Sequence, residues 1–344
     1  MSTSPLRAAM VPVTRRIRAY FATMNQASGT PTLFDPGKYG VFPLDQPPAP
    51  WIDLGWIDNF QRLCGTATEP VRAGTRGAPV VQFRGPLDAR LEFDFREWGK
   101  LQMALAGGSE HMNVLAADVN ANPQPSGGTP ILAAAVLAGS TASEIVLGVG
   151  AVNAFSIGNI IAVDADYQQQ TGYVGTGIAA AYVIDPLDVN RDANYIRRVT
   201  FNVGSVVQTT ATSLVLAQPL LGGAPPVPAG VQKVIAFVDR EGGSFFQEWS
   251  ALFVAEDESG GRVCFHYPRL SPTTVIHTSL PANPAAETGR AKVFQREEEV
   301  EITKPIVAFA LHAAFQAMPH VDENDGQTVL CYRSYFPSGM AAVY

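Results

Sequence analysis

The alternation of apolar and polar residues is sharpest between Pro86 and Ser109. Leu91, Phe93 and Phe95 alternate with Arg90, Glu92, Asp94 and Arg96, the period of two that marks a strand with one buried face. The period then changes. Trp98, Leu101 and Leu105 fall at i, i+3 and i+7, a helical stripe of one indole and two leucines. Gly107 and Gly108 follow, the residue type that ends helices. No side chain offers a good N-cap, and Gly99 inside a helix costs roughly 1 kcal/mol against alanine. At about ten residues the helix does not hold alone, so it is expected to lean on the strand's apolar face. Leu91, Phe93, Phe95, Trp98, Leu101 and Leu105 are therefore the expected strand–helix core, with the charged strand face turned elsewhere.

Around this unit the pattern predicts many strands. Val13–Met24 mixes Val, Ile, Tyr and Phe with arginine and reads as a first strand, and Trp51–Leu63 as a second. Gly29–Pro50, rich in proline and glycine, reads as an extended arm. Cys64–Gly85 carries four glycines and the cations Arg72, Arg76 and Arg84. It reads as a loop above about 15 residues, a length that is usually functional or flexible. Asn120–Pro130 is a linker by composition, and beyond it the chain turns Ala/Val/Ile/Gly-rich with few charges. An internal echo lies there: Thr141-Ala-Ser-Glu-Ile-Val-Leu147 matches Thr210-Ala-Thr-Ser-Leu-Val-Leu216. Each copy is followed by a strand ending in Asp, at Ile160–Asp164 and Val234–Asp239, which suggests a small all-β unit with a rough two-fold repeat. Later, Asp257-Glu-Ser-Gly-Gly261 is a hairpin turn between apolar runs, and Glu297–Glu301 reads as a solvated strand edge. Ile306–Met318 reads as a strand between prolines, and Asp322–Gly326 opens a last hairpin.

Composition narrows the classes. With 47% apolar residues the 344-residue chain can bury one or two cores, and 31 glycines with 26 prolines favour short strands joined by turns. A net charge of −7 argues against nucleic-acid binding as the main task. The three cysteines are far apart and form no CxxC, as suits a reducing compartment. No N-terminal apolar segment reads as a signal peptide, and no run reaches the ~20 residues of a membrane helix. Synthesis in the cytoplasm and a soluble product are expected.

Catalytic chemistry is not legible. The five histidines make no metal-ligand spacing. Asp322, Asn324 and Asp325 begin like a calcium loop, but Gly326 sits one place early and Arg333 stands where a glutamate is needed. Gly148-Val-Gly150 lacks a third glycine and a following helix, and no serine lies in GxSxG. Glu92 and Asp94 share one strand face, a pairing more often found on a charged surface than in a hydrolase. No catalytic residue, metal or cofactor is expected.

The order of these features resembles the tail tube (major tail) proteins of long-tailed bacteriophages and tail-like particles. The likeness is carried by the basic first strand, the Gly/Pro arm, Trp51-Ile-Asp-Leu-Gly55, the Gly/Arg loop and Leu91-Glu-Phe-Asp-Phe-Arg-Glu-Trp98 with its helix. The late hairpin Val263–Leu270 and the closing Val329–Pro337 continue it. It covers roughly Val13–Met112 and Phe245–Pro337. The resemblance implies a mainly β fold: a β-sandwich or barrel core with one short helix, in two parts (residues 1–112 and 244–344), around an inserted all-β domain (113–243) on the outer surface. It further implies a virion structural protein without enzymatic activity, self-assembling into six-membered rings that stack beside other tail proteins. DNA passes through the lumen without specific binding, and no membrane is involved. Arg90, Glu92, Asp94 and Arg96 would then face the lumen, with the arginines pairing to Glu92 and Asp94 of adjacent strands. Arg72, Arg76 and Arg84, with the Gly29–Pro50 arm, would make ring-to-ring contacts. Other readings stand beside it: another tail or baseplate ring component, a virion adhesive or carbohydrate-binding β module, or an ordinary two-domain β protein whose charged face meets solvent.

Overall fold

The computed structural model describes residues 16–24, 28–73, 78–116, 133–165, 180–181, 197–240, 248–257, 260–273, 291–295, 298–302 and 311–337. It is mainly β and contains a closed six-stranded antiparallel barrel. The chain enters with β1 (Ile17–Thr23), the one-turn helix α1 (Pro36–Tyr39), β2 (Ile52–Ala73), β3 (Ala78–Phe95) and helix α2 (Lys100–Gly107). A middle set follows: β4 (Glu110–Leu115), β5 (Ala134–Ala135), β6 (Glu144–Val146), β7 (Ile160–Asp164), β8 (Ala180–Ala181), β9 (Val203–Thr209), β10 (Ser213–Leu216) and β11 (Gly230–Arg240). The last set is β12 (Trp249–Glu256), β13 (Arg262–Pro272), β14 (Ala291–Gln295), β15 (Glu298–Ile302), β16 (Leu311–Ala317), β17 (His320–Val321), β18 (Thr328–Val329) and β19 (Tyr332–Phe336).

The barrel runs β12-β1-β2-β3-β16-β13 and closes by pairing β13 with β12, with β19 added at its margin. Leu91, Phe93 and Phe95 point inward and are buried, as the alternation of β3 requires. Phe93 stacks on Phe315 of β16 at 5.5 Å and meets Phe253 of β12 at 5.4 Å, while Phe21 of β1 packs on both Phe253 and Phe315. Four strands thus send one phenylalanine each to a common centre.

Helix α2 packs against β16, β13 and β4, and Leu101 and Leu105 join the cluster that holds Leu91, Phe93 and Phe95. Trp98 does not. Gly99 is the N-cap, extended at φ −137° and without a side-chain cap, so the helix begins at Lys100 and the i, i+3 relation to Leu101 fails. Trp98 is left 53% exposed. Gly108, at φ 57°, closes the helix in the left-handed region, as its glycine pair suggested.

Strands β1 and β12 are buried on both faces. The Gly29–Pro50 arm, expected to reach a neighbour, folds back with Trp51 over its own barrel. Phe34, Phe42 and Trp51 cover Tyr20 and Ala22 of β1, Leu252 and Val254 of β12 and Cys264 of β13. Tyr20 Oη donates to the carbonyl of Leu44 at 2.7 Å, the Thr32 amide donates to Ser250 Oγ at 2.9 Å, and Arg262 donates to the carbonyl of Phe42. Apolar residues at spaced positions within a Pro/Gly-rich segment make this a cover, and burial of three aromatics outweighs an exposed arm.

The middle set builds a second barrel-like layer. Strands β10, β9, β7, β11 and β5 are joined in turn, β6 pairs with β10, and Leu137 N–H to the Val146 carbonyl (2.9 Å) links the last gap. The repeat seen in sequence is real in the backbone. Thr141 Oγ1 accepts from the amides of Ser143 and Glu144, and Thr210 Oγ1 accepts from those of Thr212 and Ser213. Ile145 then faces Leu214, its own counterpart, across β6 and β10. Leu147 N–H bonds the Thr212 carbonyl at 2.7 Å, and its equivalent Leu216 N–H bonds that of Ser143 at 2.9 Å. The counterpart of Ile160–Asp164 is Gly230–Val234, its antiparallel partner. That lies a few residues before the Val234–Asp239 expected from the sequence. The boundary expected after Met112 falls inside β4, which pairs with β11, and Met112 and Val199 belong to the first barrel's cluster.

Candidate assembly interface

Strands β2 and β3 continue well past the barrel. On its other side β2 pairs with β1 only over Ile52–Ile57, and β3 pairs with β16 only over Arg90–Phe95. Beyond these limits, among the described residues, the two strands pair with each other alone, from Cys64↔Ala89 to Ala73↔Ala78. At about 3.3 Å per residue the overhang is about 30 Å long. Residues 64–73 and 78–85, expected as loop, are strand. A two-stranded ribbon has no core side of its own, so it needs no sustained alternation, and it tolerates on its edges the glycines that suggested a loop. Arg72 and Arg84 lie on this ribbon, with Arg72 opposite Pro79 and Arg84 opposite Thr68. Arg76 lies outside the described residues, as does Glu297; the rest of the acidic run is the β15 side of the β14–β15 hairpin.

The charged residues of β3 do face away from the barrel interior, because their apolar neighbours fill it. Cross-strand register builds a lattice around them: Asp58–Asp94–His312, Gln61–Glu92–Ala314 and Leu63–Arg90–Gln316 in successive rows of β2, β3 and β16. A bulge between Asp58 and Gln61, with Asn59 at φ 53°, turns Asn59 toward Asp94. Asn59 Nδ2 donates to Asp94 Oδ2 at 2.6 Å, and His312 Nδ1 lies 2.8 Å from Asp94 Oδ1, so both carboxylate oxygens are held. Arg96 binds Asp58 through two bonds of 2.6 Å. That fork raises the already high pKa of its guanidinium. Gln316 Nε2 donates to Asp88 Oδ1 at 2.6 Å, while Arg90 stays 3.9 Å from Asp88. Within the described chain Arg96 thus pairs with Asp58, and the carboxylate nearest Arg90 is Asp88 rather than Glu92 or Asp94. Carboxylates at 58, 88, 92 and 94 outnumber guanidiniums at 90 and 96, and the face is mildly acidic.

Asp58, Asn59, His312 and Gln316 were not singled out from sequence. They enter through register, which no local pattern of theirs announces. A second polar group, also absent from the sequence reading, lies between α2 and β4, where Lys100, His111, Asn113 and Thr200 meet. Among the described residues no group of three or more His, Cys, Asp or Glu could hold a metal ion. The Asp322 turn is a hairpin turn, with Asp322 Oδ1 accepting from the Asn324 amide and the Gly326 amide returning to the Asp322 carbonyl. No described helix is long and apolar enough to cross a membrane. Neither models of known protein families nor curated proteins give a match to this chain.

Proposed function

We propose that this chain is a structural subunit that assembles with copies of itself into stacked rings, as the tail tube of a long-tailed phage or tail-like particle. The observation that carries the reading is the β2–β3 ribbon. A two-stranded hairpin is marginal in water on its own, and one extending about 30 Å from its barrel is best accounted for by a neighbouring subunit that covers it. The mildly acidic strip on β3 supports the same reading, since a lumen that passes DNA without holding it should repel phosphate. In this reading the strip lines the channel and the ribbon reaches the next ring.

Negative-stain microscopy of the purified chain, alone and with its tail-tip partners, is the test. Rings or tubes are expected. Replacing residues 67–86 by Asn-Gly joins Thr66 to Leu87, which face each other in register, through a favoured two-residue turn. That variant is expected to fold with an unchanged barrel and to stay unstacked. A strictly monomeric wild-type chain in every mixture, or tubes of normal length from the shortened variant, would overturn the proposal.

A further inference from the structure

Lys100 opens helix α2, and His111 and Asn113 lie two residues apart on one face of β4. Lys100 Nζ donates to Asn113 Oδ1 at 2.6 Å. The amide nitrogen of Asn113 donates to the Arg198 carbonyl at 3.4 Å, which sets which way the carboxamide points. Asn113 is wholly buried and His111 nearly so. Lys100 is half-buried as a residue, and its amine lies 4.5 Å from the centre of the Phe237 ring. Burial holds the amine's pKa well below the usual lysine range, so it carries a free lone pair far more often than a surface lysine. The Oδ1 distance bounds the carbonyl carbon too: with a C=O bond of 1.23 Å, Cγ lies at most about 3.8 Å from Nζ. Reacting atoms in a near-attack arrangement stand about 3–3.5 Å apart, which a small rotation of the amine reaches.

We propose that Lys100 and Asn113 join in an intramolecular isopeptide bond. The Nζ lone pair attacks Cγ of the carboxamide, the Nζ–Cγ bond forms and the Cγ–Nδ2 bond breaks. One amine proton passes to Nδ2, which leaves as ammonia. No oxidant, reductant or second molecule is consumed. His111 is the neighbouring titratable group that would carry the proton between the two nitrogens. It shares the face of Asn113, its Nε2 is held 2.7 Å from Thr200 Oγ1, and burial beside Lys100 keeps it uncharged. The bond staples the start of α2, packed on the first barrel, to a strand of the second sheet. This inference stands apart from the ring proposal and shares none of its observations.

Intact mass of the full chain decides it first: the protein is expected to be lighter than its sequence by one ammonia. Cleavage after glutamate then locates the loss, because Glu97, Glu110 and Glu144 bracket Lys100 and Asn113 on different peptides. The peptides 98–110 and 111–144 are expected as one branched species, absent from Lys100→Arg and Asn113→Ala. His111→Gln is expected to slow its appearance roughly 100-fold or more. Wild-type chain that keeps its full sequence mass after prolonged incubation at neutral pH overturns the proposal. So does ammonia loss with the two peptides still separable.

Discussion

The two barrels of this chain are filled by different means. The first is centred on aromatic rings delivered by four strands, with Trp249 and Tyr267 in the same cluster. The second is filled by Val, Ile, Leu and Ala, with Phe155 the one aromatic among the described residues of its buried core. Its strands β6 and β10 come from a repeat, so Ile145 meets its counterpart Leu214, a side chain of similar size. The first barrel has no such internal equivalence. It closes strands from distant parts of the chain, and large rigid rings fill their common centre. The second carries instead a polar anchor: the buried Asp164 takes Arg197 Nη2 at 3.2 Å and Asn202 Nδ2 at 3.0 Å, tying β7 to the turn before β9. Packing diversity holds one barrel, and symmetry with one polar clamp holds the other.

The sharpest way to break that contrast is at the aromatic centre. Phe93→Ala is expected to cost about 4 kcal/mol, at the level of other buried phenylalanine truncations. Because Met112 and Val199 of the middle region pack into the same cluster, calorimetry should show one transition moving as a whole. Two transitions, of which one stays in place, would show that the barrels melt separately. In the second barrel, Asp164→Ala is expected to cost about 3 kcal/mol, because the buried Asn202 amide loses its acceptor and Arg197 loses its bond to the carboxylate. A loss no larger than that of a surface substitution would remove the clamp from the account.

The covered face of the first barrel gives a pH-dependent difference. His266 lies beneath Thr32 and Trp51, and burial pulls its pKa down to about 4. The unfolded chain binds this proton near the ordinary histidine value, so between about 6.5 and 4 the unfolded state holds more protons. Stability from this group is thus complete above about 6.5 and falls as the pH drops toward 4, by about 2 kcal/mol at pH 5. His266→Gln should flatten that part of the stability–pH curve, read from denaturant midpoints at pH 5 and 7. An unchanged slope would place the acid sensitivity elsewhere, with the buried His111 the next group to test. At the small end, Arg96→Gln, on the open strip, should leave the melting temperature where it is, since an exposed ion pair contributes little. A clear loss would mean that the Arg96–Asp58 fork fastens β3 to β2.

Much of the first barrel's wall was readable before the structure. The alternation of Leu91, Phe93 and Phe95 fixes which face of β3 is buried, and Thr141 and Thr210 announce matching turns because a threonine hydroxyl accepting two amides is a local event. What stayed hidden depends on long-range pairing. Cys64–Gly85 reads as a loop because its glycines and prolines interrupt any sustained alternation, Val81–Arg84 being a short exception, and ladder hydrogen bonds between two edges leave no hydrophobic signature. Spacing places Trp98 on the helix, because it cannot say where a helix without a side-chain cap begins. The neighbours of Asp94 come from a bulge and from a strand more than two hundred positions later in the chain. Lys100 and Asn113 meet only because α2 turns back over β4, and neither residue stands out among its sequence neighbours.

The β4–β11 ladder also shapes how the molecule is made. To close the first barrel, Ile17 must find Ala255, a sequence separation that would make folding slow if the chain between were loose. In the ladder Glu110 faces Arg240, so once the middle region has folded its two ends emerge side by side. The long search then shrinks to a short one, with the entropy of a small loop in place of a large one. On a ribosome, β1 to β3 emerge first and wait without their closing strands, and the middle region, already able to pair within itself, brings β12 to them. The repeat-built barrel would in this way serve as a folding clasp for the other.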